Sequence, residues 1–471
     1  MKLKTYMVTT LVTAAVTGQC FAAAPIISVA DLKAQQVVLK PVWQVRGNNN
    51  YFFPSSNYSE ISQYSGIEQL WYVADSNSTT GSRAPIYRLF NGYQHLVSPN
   101  QSESTYYSQG VLGYPWTSKG LPALSNMYRL YNKATGDHAL AAPGFVYSGY
   151  DIQENFPGRF GYPRPPASQN TKACLQGSEI RLCSDRRVGG AVTELSWGGK
   201  NLVNTLDYGR YIQSSLSLGP LNALPTEGGD NAFHTSTISA FKHGSPTDYL
   251  MTDVSQKTQS SRSVPLEWNY ASHGGSSNQP VAYYPWRLGK DVRLDYSQLN
   301  LGSGNGSLIG NIVQYESVIS LPASLGSSTS WLPSIEIPTG YVDNAGTNAL
   351  TRFFTFDATL SDINTATKEL SAQDFSASPP DEHYQYDPLA GGVILSSSTG
   401  SHAIGVYARR YIPNRDGYVY FTLWRFGNTN KWSAAYYGPL YEGENRFRSY
   451  VVAGTLTEVR TAMRALYQGG Y

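Results

Sequence analysis

Short alternations of apolar and polar residues recur along most of the chain, and long helical periodicity is scarce. His402-Ala403-Ile404-Gly405-Val406-Tyr407-Ala408 and Tyr418-Val419-Tyr420-Phe421-Thr422-Leu423-Trp424 change character at every second residue, the period of a two-faced strand. Asp416-Gly417 between them offers a hairpin turn. One helix is predicted, near the C-terminus. Thr455 and Glu458 are spaced for a capping box, and Leu456, Val459, Met463 and Leu466 make an apolar stripe that would seal a core. The pattern predicts an all-β chain with a short C-terminal helix.

The N-terminal part repeats itself. Val42-Trp43-Gln44-Val45-Arg46 corresponds to Ile86-Tyr87-Arg88-Leu89-Phe90 and to Met127-Tyr128-Arg129-Leu130-Tyr131, and their aromatic positions 43, 87 and 128 are 44 and 41 residues apart. A second element, Tyr51-Phe52-Phe53-Pro54, His95-Leu96-Val97-Ser98 and His138-Ala139-Leu140-Ala141, keeps nearly the same period. A period of this size means symmetric or stacked units. Three of them predict a threefold closed, β-trefoil-like domain over 40–164, because closure removes exposed sheet edges. The prolines and polar residues of 165–173 read as a linker to a large antiparallel β domain over 174–471.

Two resemblances sharpen this layout. YRLYNKATGDHALA, Tyr128 to Ala141, resembles a family of bacterial secreted repeats with the pattern YR-x-YN-x-x-TGDH-x-YT. That family implies an accessory, lectin-like module, with His95 and His138 either touching sugar or tying a turn to its strand. Val188 to Trp197, Gly199 to Asn204, Asp207 to Gln213 and Pro225 to Asp230 resemble, in that order, the galactose-mutarotase-like β-supersandwich of sugar epimerases, polysaccharide lyases and some glycosidases. More closely, they resemble a secreted family with GGA-x-x-x-L-x-W-x-GK, D-x-GR-x-x-Q and PTE-x-G motifs. The resemblance implies a fold and no single chemistry, since the superfamily hosts several reactions.

Composition narrows the partners. Charged residues are 14% with a net charge of +2, which gives no basis for binding nucleic acid or an anionic membrane. The 36 tyrosines suit pleated sheets and also stack on sugar C–H faces. Lys2 and Lys4, the uncharged run Val8 to Val16 and the small residues up to Ala24 read as an export signal over 1–22, too short to span a membrane. The mature chain is expected to be secreted or periplasmic. Cys174 and Cys183, nine positions apart, then read most simply as a disulfide across a hairpin, with a pair of buried thiols as the alternative.

Sugar chemistry needs a proton donor and acceptor across a cleft, with arginine or amide groups to hold the substrate. The densest such set is Asp207, Arg210, Gln213, Glu227, Asp230 and His234. Glu227, Asp230 and His234 are the catalytic candidates. Asp207, Arg210 and Gln213 are candidates for holding substrate, although Asp207 and Arg210 would equally form a structural ion pair. The histidines at 95, 138, 234, 243, 273, 383 and 402 show no ligand spacing, and no phosphate loop or Gly-x-Ser-x-Gly string is present, so neither metal nor cofactor is expected. The expected function is action on a poly- or oligosaccharide, as a glycoside hydrolase or lyase with the repeats as binding module. A non-catalytic lectin or adhesin and a secreted toxin or effector are the alternatives.

Overall fold

Strand Tyr418–Arg425 shows how the larger region is layered. Val419, Phe421 and Leu423 turn into an apolar core with Ile335, Ile337, Ala434 and Tyr436, while Tyr418, Tyr420, Thr422 and Trp424 lie half-buried on the opposite face. That core separates two antiparallel sheets. The structure, a computed structural model, describes residues 28–471 apart from 48, 77–81, 166–168, 205–210, 222, 230–243, 269–281, 284–285, 327–331, 347–348, 377–381 and 428. The segment 1–22 expected to direct export lies outside the described residues.

The larger sheet runs from Glu382–Tyr386 through Tyr418–Arg425, Asn430–Tyr437, Ser334–Val342 and Gln213–Ser217 to Pro225–Thr226, Leu266–Glu267 and Ala282–Tyr283. The facing sheet has nine strands, with Arg287–Leu294, Ile312–Leu321, Gly443–Gly454 and Ala403–Arg409 at its centre. Helix Leu456–Gln468 covers the far side of this second sheet, where Val459, Met463 and Leu466 pack with Phe356, Ile394 and Tyr407. The capping box of Thr455 and Glu458 closes its first turn as expected. The chain is therefore all-β with a short C-terminal helix, layered helix on sheet on sheet, and one face of the larger sheet is left uncovered by the helix.

Asp416-Gly417 does not make the hairpin its dipeptide predicts. Ala403–Arg409 pairs with Ala390–Ser397 and Gly443–Gly454, whereas Tyr418–Arg425 pairs with Glu382–Tyr386 and Asn430–Tyr437. The chain crosses between layers here, because each strand finds partners on both sides only in its own sheet.

The disulfide is present. Cys174 and Cys183 sit directly opposite each other in the hairpin of Lys172–Gln176 and Ile180–Asp185. Replacing both by serine is expected to lower stability by about 2–3 kcal/mol, from the freed entropy of a loop this short. Urea unfolding with and without reductant checks it: the reductant should shift the parent protein and leave the double variant unmoved.

The N-terminal region consists of three like units. In each, the first strand (Val37–Arg46, Ile86–Phe90 or Ser125–Tyr131) lies between a short second strand (Phe52–Ser55, His95–Ser98 or His138–Ala141) and a third (Glu68–Ala74, Tyr106–Gly113 or Asp151–Pro163). The three second strands touch one another. The third strands meet through Ala74 with Tyr114, Trp116 with Phe160, and Tyr72 with Tyr162. The register corrects one alignment. Phe52, not Tyr51, occupies the place of His95 and His138, since these three face Arg46, Phe90 and Tyr131 across their hairpins.

Nor is the repeat region a separate body joined only by a linker. Val37 and Val38 pair with Tyr283 and Ala282, so the larger sheet continues directly into the first unit. Gln35 accepts from the Trp286 indole at 3.1 Å, and Gln36 donates to Glu267 at 2.7 Å. Composition marked the linker but could not show a sheet shared between residues some 245 positions apart.

Candidate functional site

The face of the larger sheet turned away from the apolar core carries, among the described residues, an ordered array of aromatic and polar side chains. Because side chains alternate along a strand, the rows Tyr341–Lys431–Trp424–His383 and Thr339–Ser433–Thr422–Gln385 are set side by side by the strand register. Five rings follow one another at small angles. His383 lies 4.7 Å from Trp424 at 26°, Trp424 lies 5.8 Å from Phe426 at 9°, Phe426 lies 6.5 Å from Tyr341 at 20°, and Tyr341 lies 6.4 Å from Trp268 at 13°. Lys431 stands over two of them, 5.5 Å from the Tyr341 ring centre and 5.8 Å from that of Trp424.

Glu336 answers that cation. Its carboxylate is 2.5 Å from Lys431 and accepts from the Ser215 hydroxyl at 2.7 Å. Burial opposes the Lys431 charge, but Glu336 and Tyr341 outweigh it and hold the ammonium firmly protonated. A second aromatic group, Tyr418 with Tyr420 and Tyr437, stands at the other end of the same strands, and Tyr420 shares a 3.0 Å hydrogen bond with Ser334. The face thus has aromatic groups at both ends, with half-buried Thr422 and Ser334 and the Lys431–Glu336 ion pair between them. Such a surface can stack sugar rings and exchange hydrogen bonds with their hydroxyls.

Of the residues expected from sequence, Gln213, Glu227, His95 and His138 are described. Asp207, Arg210, Asp230 and His234 lie outside the described residues. Gln213 is buried, and its side-chain oxygen accepts from the Gly228 N–H at 2.6 Å, shaping the turn after Thr226. Glu227 lies in the interior between the two sheets with no exposed surface, instead of facing a cleft. Its carboxylate is 2.6 Å from Lys290, which is equally buried, and it accepts from the Ser261 hydroxyl at 3.1 Å and the Ser214 N–H at 3.1 Å. Lys290 also donates to the Gly190 carbonyl and to Ser261 at 3.0 Å. Burial lowers the Lys290 pKa, and Glu227 pulls against that shift. This closed network explains the Gly189-Gly190 pair. Both have positive φ, and a side chain on Gly189 would strike the Glu227 backbone while one on Gly190 would strike Ser261.

His95 and His138 are built into the joints between repeat units. Phe90 and Phe53 flank the His95 ring at 4.6 and 4.8 Å, and Gln109 bonds it at 3.1 Å. Tyr131 and Tyr106 flank His138 at 4.9 and 5.9 Å. The joints themselves are clamped by ion pairs from one unit to the next, Arg88 to Glu60 at 2.8 Å and Arg129 to Glu103 at 2.9 Å. At the remaining joint, around Phe52, Gln44 takes the arginine's place and bonds the Tyr147 hydroxyl at 3.3 Å.

Burial first, and then the neighbouring arginine, lowers both histidines to about 4. The unfolded chain therefore binds protons that the folded one does not. This stability is fully present above about pH 6.5 and is lost as pH falls towards 4. The urea midpoint is expected to fall between pH 7 and pH 4.5, and His138→Phe, which carries the first unit's residue, should flatten that fall.

Among the described residues, no group of three or more His, Cys, Asp or Glu side chains is placed to hold a metal ion, and no helix is long and apolar enough to cross a membrane. No protein-family model and no curated protein matches the sequence. Solved structures do align with it. Slr1438 protein from Synechocystis sp. PCC 6803 aligns at 10% identity and a TM-score of 0.33, over 61% of this chain and 98% of that one. A galactose mutarotase related enzyme from Lactobacillus acidophilus aligns at 8% identity and a TM-score of 0.34, over 60% and 98%. The 4-alpha-glucanotransferase from Thermococcus litoralis aligns at 9% and 0.25, over 62% and 38%. At such scores the function has to be argued from this chain's own residues.

Proposed function

We propose that this chain is an exported carbohydrate-binding protein that holds an oligosaccharide along the open face of its larger sheet. The observation that carries the reading is the five-ring ladder from His383 to Trp268, with Lys431 and Glu336 beside it. Tyrosine and tryptophan offer flat faces to sugar rings, and half-buried Thr422 and Ser334 lie on the strip between the platforms. The cross-strand disulfide supports a working place in an oxidising compartment.

Binding is preferred to cleavage because of how the carboxylates are engaged. A cleaving enzyme needs an acid and a base facing one cleft. Glu336 is committed to Lys431 and Ser215, and Glu227 is sealed between the sheets. The test is a polysaccharide panel read in two ways: retention of the protein on the glycan, and release of reducing ends with or without the ultraviolet absorbance of an unsaturated product. Retention without release is expected. Steady release of reducing ends would replace the binding reading by a glycosidase, or by a lyase if absorbance rises as well.

A further inference from the structure

The three joints of the repeat region are equivalent in backbone and differ in the side chains that meet there. At the first, Tyr147 and Tyr150 pack on Phe52 at 4.7 and 5.6 Å, and the Arg46 guanidinium covers the ring at 4.1 Å. Asp137 fixes that filling, accepting the Phe52 N–H at 3.3 Å and the Tyr150 hydroxyl. At the third, Tyr106 sets its edge against His138. The second, around His95, keeps a cleft of about 430 Å³ bounded by Phe53, Phe90, Tyr93 and Gln109. That size falls within the usual range of small-molecule sites.

We propose that the His95 cleft is a second saccharide site, one that takes a neutral sugar and works independently of the sheet face. Its walls are aromatic, and its polar groups are an imidazole and amides. Arg88 is the one charged residue among those that line it. Two bonds to Glu60, at 2.8 and 3.3 Å, already pair the charge of that guanidinium with a carboxylate, so an anionic sugar meets no uncompensated cation. The half-buried imidazole stays neutral at physiological pH and its Nε2 is bonded to the Gln109 side-chain oxygen, so this pair presents the cleft with polar groups and no charge. The cleft is also preorganised: Asn49 of the first unit donates to the Tyr93 carbonyl of the second at 2.7 Å and ties the two rims together. Phe52 and its tyrosines show what the same joint looks like when the chain fills it.

The test uses the full chain carrying Trp424→Ala, which disables the sheet face, on an array of neutral and uronate-containing oligosaccharides. Retained binding of neutral glycans is expected, weakened roughly tenfold or more when Tyr93→Ala and Gln109→Ala are added. Both added positions are exposed, so the fold should tolerate the changes, and an unaltered urea midpoint confirms it. His95→Phe, imitating the filled joint, should weaken binding likewise. Loss of all binding with Trp424→Ala alone, insensitivity to the cleft variants, or a preference for uronates would each overturn the proposal. If instead Trp424→Ala changes nothing and the cleft variants abolish binding, this site stands and the sheet-face reading fails.

Discussion

Lys290→Met is expected to destabilise the protein by about 3–5 kcal/mol, because it strands the Glu227 carboxylate in the interior without its countercharge. Neither group has any exposed surface, and the nearest remaining polar partners are the Ser261 hydroxyl and the Ser214 N–H. Those two cannot replace an ammonium at 2.6 Å. The change in shape is small, so the loss is electrostatic and not a cavity effect. The pair Lys290→Met with Glu227→Leu should recover most of the loss, since it removes the charge that had to be answered. Urea unfolding of the two variants at neutral pH settles it. If the single variant unfolds at the parent midpoint, Glu227 is solvated and the interior placement is wrong. The single variant's glycan binding should survive wherever it remains folded, because the pair lies behind the sheet and not on its open face.

Trp424→Ala is expected to weaken oligosaccharide binding by about 2 kcal/mol, roughly 30-fold, while leaving the fold intact. Trp424 stands half-buried as the second ring of the ladder, between His383 and Phe426, and its indole N–H bonds the neighbouring Thr422 at 3.2 Å. Removing it opens the ladder and uncovers one side of Lys431, which keeps its bond to Glu336. Tyr418→Ala should behave differently. Six residues along an extended strand place it about 20 Å from Trp424. Short ligands seated on the ladder should not notice its loss, and long ones spanning both platforms should. Titration with an oligosaccharide series of increasing length separates the two effects.

What the sequence disclosed was the part set by local chemistry. The capping box at Thr455, the apolar stripe of the last helix, the hairpin around Cys174 and Cys183 and the repeated strand pattern each lie within a few dozen residues. The open face was also written in the chain, in the alternation of Tyr418, Tyr420, Thr422 and Trp424 with the core residues Val419, Phe421 and Leu423. Large rings on both faces of one strand mark an outer face that is not merely solvated. What stayed hidden depended on partners far away. Glu227 reads as an active carboxylate among glycines until Lys290, 63 positions on, is seen to claim it. Lys431 and Glu336 are unremarkable alone and become a site only when three strands set them beside Tyr341 and Trp424. The joint clamps were within reach: Glu60 and Glu103 stand 43 residues apart, the period of Phe52, His95 and His138, and each meets the arginine of the next unit.

A crystal of the mature chain soaked with the oligosaccharide that it holds best on the panel tests the central claim most directly. A pyranose ring lying parallel to the Trp424 or Phe426 ring, with a hydroxyl bonded to Lys431 or Glu336, is the predicted result. A ligand seated away from the open face, or a protein that retains no glycan at all, would contradict it.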